Sequence, residues 1–363
     1  MKILGIETSC DETAAAVVEN GVHVMSNIIA SQVPLHQQTG GVVPEVAARE
    51  HVLKMIPVIE QALKEAKVQL RDIDAIAATQ GPGLLSSLII GTCTASALAL
   101  SCRKPLIGVN HIAGHIYANW LNRDADAIPF PAIILTASGG HNELVLMKAH
   151  AKFTLLGETL DDAAGEAFDK VARLLGLGYP GGPQVARAAH AGNPNRYAFP
   201  KAYMHEQSYD FSFSGLKTAV LNLVKAEHTV NGLLSEEFIS DCAASFQDAV
   251  CEILSDKLLR AVKTHNAKSA LLSGGVSANQ RLREIIGNKI SHGYFFDHKG
   301  RKQDIGRKPE FYFPSDYSFC TDNAAMIAGS AFFSHTSGKE KTAVYGRSLL
   351  ADPNLSLYYS RER

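Results

Sequence analysis

The chain contains the same succession of short elements twice, and this repetition constrains its fold more than any other feature. In the first copy an acidic turn and a Glu-Asn-Gly turn separate three apolar β-strand segments, at residues 3–7, 14–18 and 22–29. In the second copy a Ser-Gly-Gly turn follows the first of three strand segments, at residues 131–136, 143–147 and 153–157. Helical segments follow each copy. The sequence therefore predicts an internally duplicated α/β chain.

This duplication is typical of the two-lobed ribonuclease-H-like fold of the actin, hexokinase and Hsp70 group (the ASKHA type), which holds a nucleotide between its lobes. A chain of 363 residues is long enough for two lobes with ample cores. We predict an N-terminal α/β lobe at residues 1–128 and a C-terminal α/β lobe at 129–363. The second lobe would carry a helical insertion at about 160–265 and a basic loop at about 290–312.

Two helical segments of the first lobe make specific predictions. A helix over residues 44–67 would bury an apolar face, and Pro57 inside it predicts a kink or a break. The predicted face comprises Val46, Ala47, Leu53, Ile56, Ile59 and Leu63. The most apolar segment, residues 84–100, is interrupted by Ser, Gly and Thr, and we interpret it as a buried helix rather than a membrane span.

Charge and cysteine content restrict the possible partners. The formal net charge is -1, so the chain has no strong overall basic field with which to bind nucleic acid. The basic segment 298–308 is by default a solvated loop, and contact with RNA phosphates is the alternative. The six cysteines are scattered without a C-x-x-C motif, and the N-terminus has no targeting character. We therefore expect a cytoplasmic protein without a membrane partner.

His111 and His115 are the leading candidates for a metal site. Two histidines four residues apart lie on one face of a helix, and both can reach one divalent ion. The chain has 14 histidines, so chance spacing is the competing explanation. A zinc-protease motif would need Glu directly after the first histidine, where this chain has Ile112. The missing base weakens a metalloprotease interpretation.

Glycine turns after predicted strands are candidates for phosphate binding, because backbone N–H groups can approach an anion there. Such turns occur at residues 80–83, 138–140 and 273–275, and ordinary tight turns are the alternative. The segment 178–183 is rich in Gly and Pro and is predicted to be an irregular loop.

Four carboxylates have two possible roles each. Asp169 would hold ribose hydroxyls or pair with Arg173 one helical turn away. Asp322 would complete a His-His-carboxylate metal site or cap the helix that follows it. Asp11 and Glu12 would act near a reacting centre, or would only cap the first hairpin.

Taken together, the motifs resemble one family, the TsaD family of tRNA threonylcarbamoyladenosine transferases, once described as O-sialoglycoprotein endopeptidases. The resemblance covers nearly the whole chain in order. It is carried by TSCDET (8–13), GVVPE (41–45), QGPG (80–83), NHIAGH (110–115), SGGH (138–141), GEAFDK (165–170), YPGGP (179–183), FSFSGLK (211–217), SGGVSAN (273–279) and CTDN (320–323).

The resemblance implies a metal-dependent acyltransferase. It would move threonylcarbamoyl from threonylcarbamoyl-AMP to N6 of the adenosine 3′ of the anticodon in tRNAs that read ANN codons, with release of AMP. It also implies Fe²⁺ or Zn²⁺ as the metal, and a TsaB-like paralogue and a TsaE-like ATPase as partners. The implied sites are Asp11 and Glu12 at the reacting centre, His111, His115 and Asp322 on the metal, and Thr136, Ala137, Ser138, Gly139, Gly140, Asp169, Gly182 and Asn279 on the adenylate.

The chain departs from the family pattern in two places. Some members have an acidic or amide residue shortly after the Gly-Gly-Pro, where this chain has Ala186 and Arg187. The interval between Asn279 and Asp322 is longer than is usual in bacterial members, and the basic segment lies within it. A metalloprotease and an ASKHA-type ATPase or kinase are the alternative functions.

Overall fold

The computed structural model describes residues 1–201, 208–337, 343–344 and 348–357. These residues form two compact units. The first unit contains Met1–Ile128, Lys148–Phe153 and the described residues from Phe313 onward, and the second contains Pro129–Met147 and Thr154–Tyr312. The chain changes unit after residue 128, where the lobe boundary was predicted. The segment from Phe313 onward was predicted in the second lobe but packs in the first unit.

The strands and helices of the described residues are numbered in chain order. The strands are β1 (Lys2–Glu7), β2 (Glu12–Glu19), β3 (His23–Ser31), β4 (Ala75–Gly81), β5 (Leu106–Asn110), β6 (Ala132–Ala137), β7 (Asn142–Ala149), β8 (Lys152–Glu158), β9 (Ser269–Ser273), β10 (Tyr294–Phe296), β11 (Lys302–Asp304), β12 (Glu310–Tyr312) and β13 (Ala343–Val344). The helices are α1 (Val33–His36), α2 (Pro44–Glu65), α3 (Leu85–Cys102), α4 (His111–Tyr117), α5 (Ala164–Leu174), α6 (Gly181–Ala189), α7 (Ser214–Asn231), α8 (Glu236–Thr264), α9 (Gln280–His292) and α10 (Ala324–Thr336).

The sheet of the first unit is apolar on both faces. Its strand order is β13-β5-β4-β1-β2-β3, with β1 antiparallel to β2 and parallel to β4. Successive residues of a strand point to opposite faces. On one face Ile3 and Ala16 pack with α10, and on the other Leu4 and Val17 pack with α2 and α3. The apolar residues of α10 thus complete this core, which explains why the C-terminal segment belongs to the first unit.

The five-stranded sheet of the second unit repeats the order of the strands β5-β4-β1-β2-β3 of the first. It runs β12-β9-β6-β7-β8. Here β6 is antiparallel to β7, as β1 is to β2, and parallel to β9, as β1 is to β4. The long helix α8 packs against β6 and β9 and against the helices α6 and α9. The duplication inferred from the sequence is therefore present in the topology of both units.

Helix α2 differs from its prediction in two respects. It continues through Pro57 as one helix. Pro57 lies on the exposed side, so water can satisfy the carbonyl that loses its helical partner. Its buried face is also shifted and comprises Ala47, His51, Met55, Val58, Ile59 and Ala62, which leaves the predicted core residues Leu53 and Ile56 exposed.

Helix α3 corresponds to the apolar segment that was predicted to be buried. Its mean hydropathy of 1.6 and its length would allow it to cross a membrane, although core helices of soluble proteins share both properties. Only 33% of its residues are buried. Ala95 and Ala99 pack in the core, whereas Leu85 and Ile89 are exposed.

The prediction of an irregular loop over residues 178–183 is only partly correct. Helix α6 begins within it, at Gly181, and Pro183 lies in the first turn of the helix. A proline is tolerated there because the first N–H groups of a helix have no intrahelical partner.

Candidate functional site

His111 and His115 lie where a buried strand passes directly into a helix. Strand β5 ends at Asn110, whose side chain accepts hydrogen bonds from the N–H groups of Ile112 and Ala113 and so begins α4. The four-residue spacing places both imidazoles on one side of this helix, with ring centroids 4.6 Å apart. Both histidines are buried.

Asp322 joins this pair from the turn before α10. Its Oδ1 lies 3.2 Å from Nε2 of His115 and 3.5 Å from Nε2 of His111. The cap of α10 is Asn323, whose side chain accepts the N–H of Met326. The alternative role of Asp322 as the helix cap is therefore taken by its neighbour.

The three side chains fit a divalent ion. Their ligand atoms lie within 4.8 Å of one another. Two ligands at about 2.1 Å from a tetrahedral ion are roughly 3.4 Å apart, close to the distances to Asp322. Among the described residues neither buried ring nitrogen of His115 forms a hydrogen bond, although Nε2 lies close to Asp322, and a metal ion between these two side chains would satisfy that nitrogen. Two histidines and one carboxylate also leave positions open for a substrate.

Glu7, which the sequence did not single out, contacts His111 on the side of the ring opposite Asp322. It is completely buried at the end of β1, and its Oε2 lies 3.2 Å from Nδ1 of His111. Thr79 and the backbone N–H of Ser9 donate to the same carboxylate. Burial opposes ionisation of Glu7, but His111 and Thr79 outweigh it and lower its pKa. A carboxylate on Nδ1 orients the ring so that Nε2 faces a metal.

The turn between β1 and β2 carries the two predicted reacting-centre carboxylates, Asp11 and Glu12. His51 of α2 fixes this turn, because its Nε2 contacts the carbonyl of Cys10 at 3.0 Å and its Nδ1 lies 2.8 Å from Oγ1 of Thr13. Burial lowers the pKa of His51, so the ring is neutral and bonds through both nitrogens. The sequence does not distinguish His51 as a site residue, because its position within a predicted amphipathic helix says nothing of its contact with the turn after β1.

Glu12 lies in a crowded acidic environment. Burial, followed by the charges of Asp11 and Asp322, raises its pKa to about 10. Burial lowers the pKa of His111, but the charges of Asp322 and Glu7 outweigh it and raise the value to about 9. A divalent cation beside Asp322 would relieve the repulsion between these carboxylates.

In the second unit, the predicted substrate-binding residues Thr136 and Ala137 end β6, and residues 138–140 form the tight turn that follows. The N–H of Ser138 donates to the carbonyl of His141, and the hydroxyl of Thr136 lies 2.8 Å from that of Ser273. Gly274 has a positive φ of 78°, and a Cβ there would meet the carbonyl of Ala137 at 2.5 Å. The Ser-Gly-Gly turns after β6 and β9 are therefore adjacent.

Several glycines of these two turns, and Gly182 in the first turn of α6, face open space. A Cβ added at Gly139, Gly140, Gly182 or Gly275 would meet no atom within 4 Å. Space of this kind beside backbone N–H groups suits a phosphate or a nucleoside.

Asp169 and Asn279 are both engaged in local structure. Asp169 accepts the N–H of Gly181 at 2.6 Å and so joins α5 to the start of α6. The Oδ1 of Asn279 caps α9 by accepting the N–H of Leu282, and its amide donates to Gln247. These contacts hold Asp169 beside the start of α6 and hold Asn279 shortly after the Ser-Gly-Gly turn at residues 273–275.

The class of protein follows from these features together with its structural relatives. HypF from T. kodakarensis is similar at a TM-score of 0.59 and 14% identity, over 94% of this chain and 48% of that one. The activator of the 2-hydroxyisocaproyl-CoA dehydratase from Clostridium difficile is similar at 0.51 and 14%, over 96% and 100%. At these identities the likeness concerns the fold alone. It confirms the predicted class, a two-lobed α/β protein of the ASKHA type, here with a His-His-Asp cluster.

The family follows from sequence relatives. A family model described as TsaD, tRNA N6-adenosine threonylcarbamoyltransferase, matches residues 23–329. Relatives with that name are 51% identical in Thermomicrobium roseum, over 92% of both chains, and 49% identical in Bacillus subtilis strain 168, over 93% of this chain and 92% of the relative. This chain belongs to the TsaD family, as its motifs predicted.

Proposed function

We propose that this chain transfers threonylcarbamoyl from threonylcarbamoyl-AMP to N6 of the adenosine 3′ of the anticodon in tRNAs reading ANN codons, with release of AMP. The observation that carries the proposal is the family match over residues 23–329, together with relatives of that name at about half identity over nearly the full length. The two groups of site residues supply chemistry suited to an acyl-adenylate.

His111, His115 and Asp322 would hold one Fe²⁺ or Zn²⁺ ion, and Glu7 would keep His111 oriented towards it. When bound, such an ion supplies Lewis acidity for a phosphate or carbonyl oxygen. This metal dependence rests on the convergence of the three ligands and on the unpartnered nitrogens of His115.

The glycine turns of the second unit would bind the adenylate. Backbone N–H groups of the turn at residues 138–140, directly after Thr136 and Ala137, are suited to phosphate oxygens, and charge on the departing AMP would be stabilised there. Asp169, Gly182 and Asn279 would complete the nucleoside site.

Asp11 and Glu12 would lie at the reacting centre. Burial and the charge of Asp11 raise the pKa of Glu12 to about 10, which favours its protonated form and would suit it to donating a hydrogen bond. We assign orientation of the attacking amine to Asp11. An adenine N6 amine is a weak nucleophile, so fixing its position contributes more than removing its proton early.

We further propose that the chain works in the cytoplasm with a TsaB-like paralogue, a TsaE-like ATPase and tRNA. The first unit exposes apolar side chains on α2, with exposed fractions of 58% at Val52, 66% at Leu53 and 52% at Ile56. Leu85 and Ile89 of the neighbouring helix α3 are also exposed. Apolar side chains grouped in this way favour association with another protein.

The test is nucleoside mass spectrometry of tRNA from cells depleted of this protein, complemented with the native chain or with His111→Ala. We expect threonylcarbamoyladenosine to disappear on depletion and to return with the native chain only. An unchanged level after depletion would overturn the proposal. Robust cleavage of casein by the metal-loaded chain, lost in His111→Ala, would favour a metalloprotease.

A further inference from the structure

The segment 298–308 concentrates positive charge in a chain that is otherwise acidic. It contains five cations, Lys299, Arg301, Lys302, Arg307 and Lys308, and one anion, Asp304. The remaining residues hold 30 of the 35 Lys and Arg and 35 of the 36 Asp and Glu. In the structure the segment belongs to a hairpin formed by β10 and β11, which we call the basic hairpin (residues 294–308).

Asp297 holds the tip of the basic hairpin in one shape. Its carboxylate accepts the N–H groups of Lys299 and Arg301, each at 2.9 Å. It also accepts Nε of Arg301 at 2.8 Å and the amide of Gln303 at 3.0 Å. The tip is thus an ordered turn rather than the free loop that its composition suggested.

The base of the hairpin is fixed to α8 and α9. Asp256 of α8 accepts the N–H of Phe296 at 2.9 Å and Nζ of the buried Lys289 at 2.6 Å. Ile305, the one large apolar side chain of the segment 298–308, is buried at 2% exposure. The hairpin therefore presents its cations from a rigid support.

All five cations are exposed, and of these Lys308 donates to the backbone carbonyl of Ser291. Lys299 and Arg307 are exposed, and neither side chain has a partner among the described residues. Nζ of Lys302 lies 4.4 Å from the centre of the Tyr294 ring, which positions it, and Arg301 remains 59% exposed beside Asp297. Because the backbone of the hairpin is already ordered, only side-chain freedom would be lost when these positive charges bind an anion.

We propose that the basic hairpin binds the phosphate backbone of the tRNA substrate. The identity of the polyanion as tRNA rests on the proposed function. A membrane surface fits less well, because interfacial binding needs apolar side chains beside the cations and Ile305 is buried. Phosphate contacts of this kind are independent of base sequence and weaken with salt.

The experiment compares Lys299→Ala/Arg307→Ala with the control Lys148→Ala/Lys152→Ala, which removes two exposed lysines elsewhere. Binding of the full chain to an unmodified tRNA transcript is measured between low and high salt. We expect the hairpin variant to bind tRNA on the order of tenfold more weakly than the native chain. The magnitude of its negative slope of log K against log salt should decrease by about 1.4, near 0.7 for each lost contact. The control should match the native chain.

With the complete modifying assembly, KM for tRNA should rise in the hairpin variant while kcat stays the same. Three results would each overturn the inference. One is equal tRNA binding by the native chain and the hairpin variant, and another is an equal loss of tRNA binding in the hairpin variant and the control. The third is hairpin-dependent binding to phosphatidylserine vesicles but not to tRNA. If hairpin-dependent tRNA binding occurs without formation of threonylcarbamoyladenosine, the proposed function fails and the RNA surface stands.

Discussion

At the scale of single residues, the His-His-Asp cluster is supported by a carboxylate that is not one of its three members. Glu7 contacts Nδ1 of His111, whereas Asp322 lies on the Nε2 side of both histidines. In the proposed metal site the two carboxylates would therefore have different roles, Glu7 orienting His111 and Asp322 binding the ion.

Glu7→Gln is expected to weaken metal binding without unfolding the chain. The substitution keeps the size of the side chain but removes the charge beside His111 and directs an amide donor towards Thr79 or Ser9. Loss of such a support typically costs 10- to 100-fold in metal affinity. A Zn²⁺ titration against a competing chelator measures it.

Glu19→Gln, at the far end of β2, is the matched control and should bind zinc like the native chain. Unaltered zinc affinity in Glu7→Gln would show that the contact with His111 has no orienting role.

The residue scale also marks where sequence-based prediction ends. The histidine pair is predictable because four-residue spacing in a helix is a local property. Asp322 lies 207 positions after His115, so only the folded chain, or a family resemblance, brings it to the pair. Glu7 has a weak local signal, as the one charged residue at the end of an apolar strand, but its partner His111 is just as remote.

At the scale of elements, two adjacent glycines at the start of α6 have separate functions. A Cβ at Gly181 would lie 2.4 Å from Cα of Asp169, whereas a Cβ at Gly182 would meet no atom within 4 Å. The first glycine allows α5 and α6 to approach, and the second leaves room for a ligand.

Gly181→Ala should therefore destabilise the chain by about 1–3 kcal/mol, as overpacking does, and lower its Tm. Gly182→Ala should leave the Tm unchanged and weaken binding of a non-hydrolysable adenylate analogue. Thermal unfolding and calorimetric titration of both variants test this pair, and a similar Tm for the two would refute the distinction.

The basic hairpin makes a prediction about pH. Burial alone would raise the pKa of Asp297, but hydrogen bonds from Arg301 and Lys299 lower it from 3.8 to about 2. Because the folded-state value is the lower one, the ionised carboxylate stabilises the hairpin above pH 3.8, and this contribution is lost as pH falls towards about 2.

The difference in Tm between the native chain and Asp297→Asn should accordingly be constant above about pH 5 and shrink in more acidic buffer. Asp304→Asn, on the same hairpin, serves as the control. A difference that persists unchanged at the lowest pH would mean that charge on Asp297 contributes nothing.

The elements themselves were largely predictable, and helix α2 shows why one prediction failed. Apolar residues occur on two sides of α2, and periodicity alone does not say which side meets the sheet. The structure buries Met55 and Val58 and leaves Leu53 and Ile56 exposed. That choice depends on the neighbouring sheet and helices, which are distant in sequence.

At the scale of the whole molecule, the exposed side of α2 should matter only in the assembly. Leu53→Glu is expected to abolish binding of a TsaB-like partner while changing the stability of the isolated chain by less than about 0.5 kcal/mol. Leu100→Glu, an equally exposed leucine at the end of α3, is the control. Size-exclusion chromatography of the mixed proteins detects the complex, and its survival in Leu53→Glu would exclude this face.

The repeated strand order has a consequence for how the chain carries two kinds of chemistry. The turn after the first strand of one sheet carries Asp11 and Glu12, and the turn after the first strand of the other carries Ser138 and two glycines. Equivalent positions in the two sheets therefore carry different chemistry, acidic side chains in one turn and a hydroxyl with two glycines in the other. Because the two turns belong to separate sheets, a substitution in one can alter its chemistry while the strands that hold the other stay unchanged.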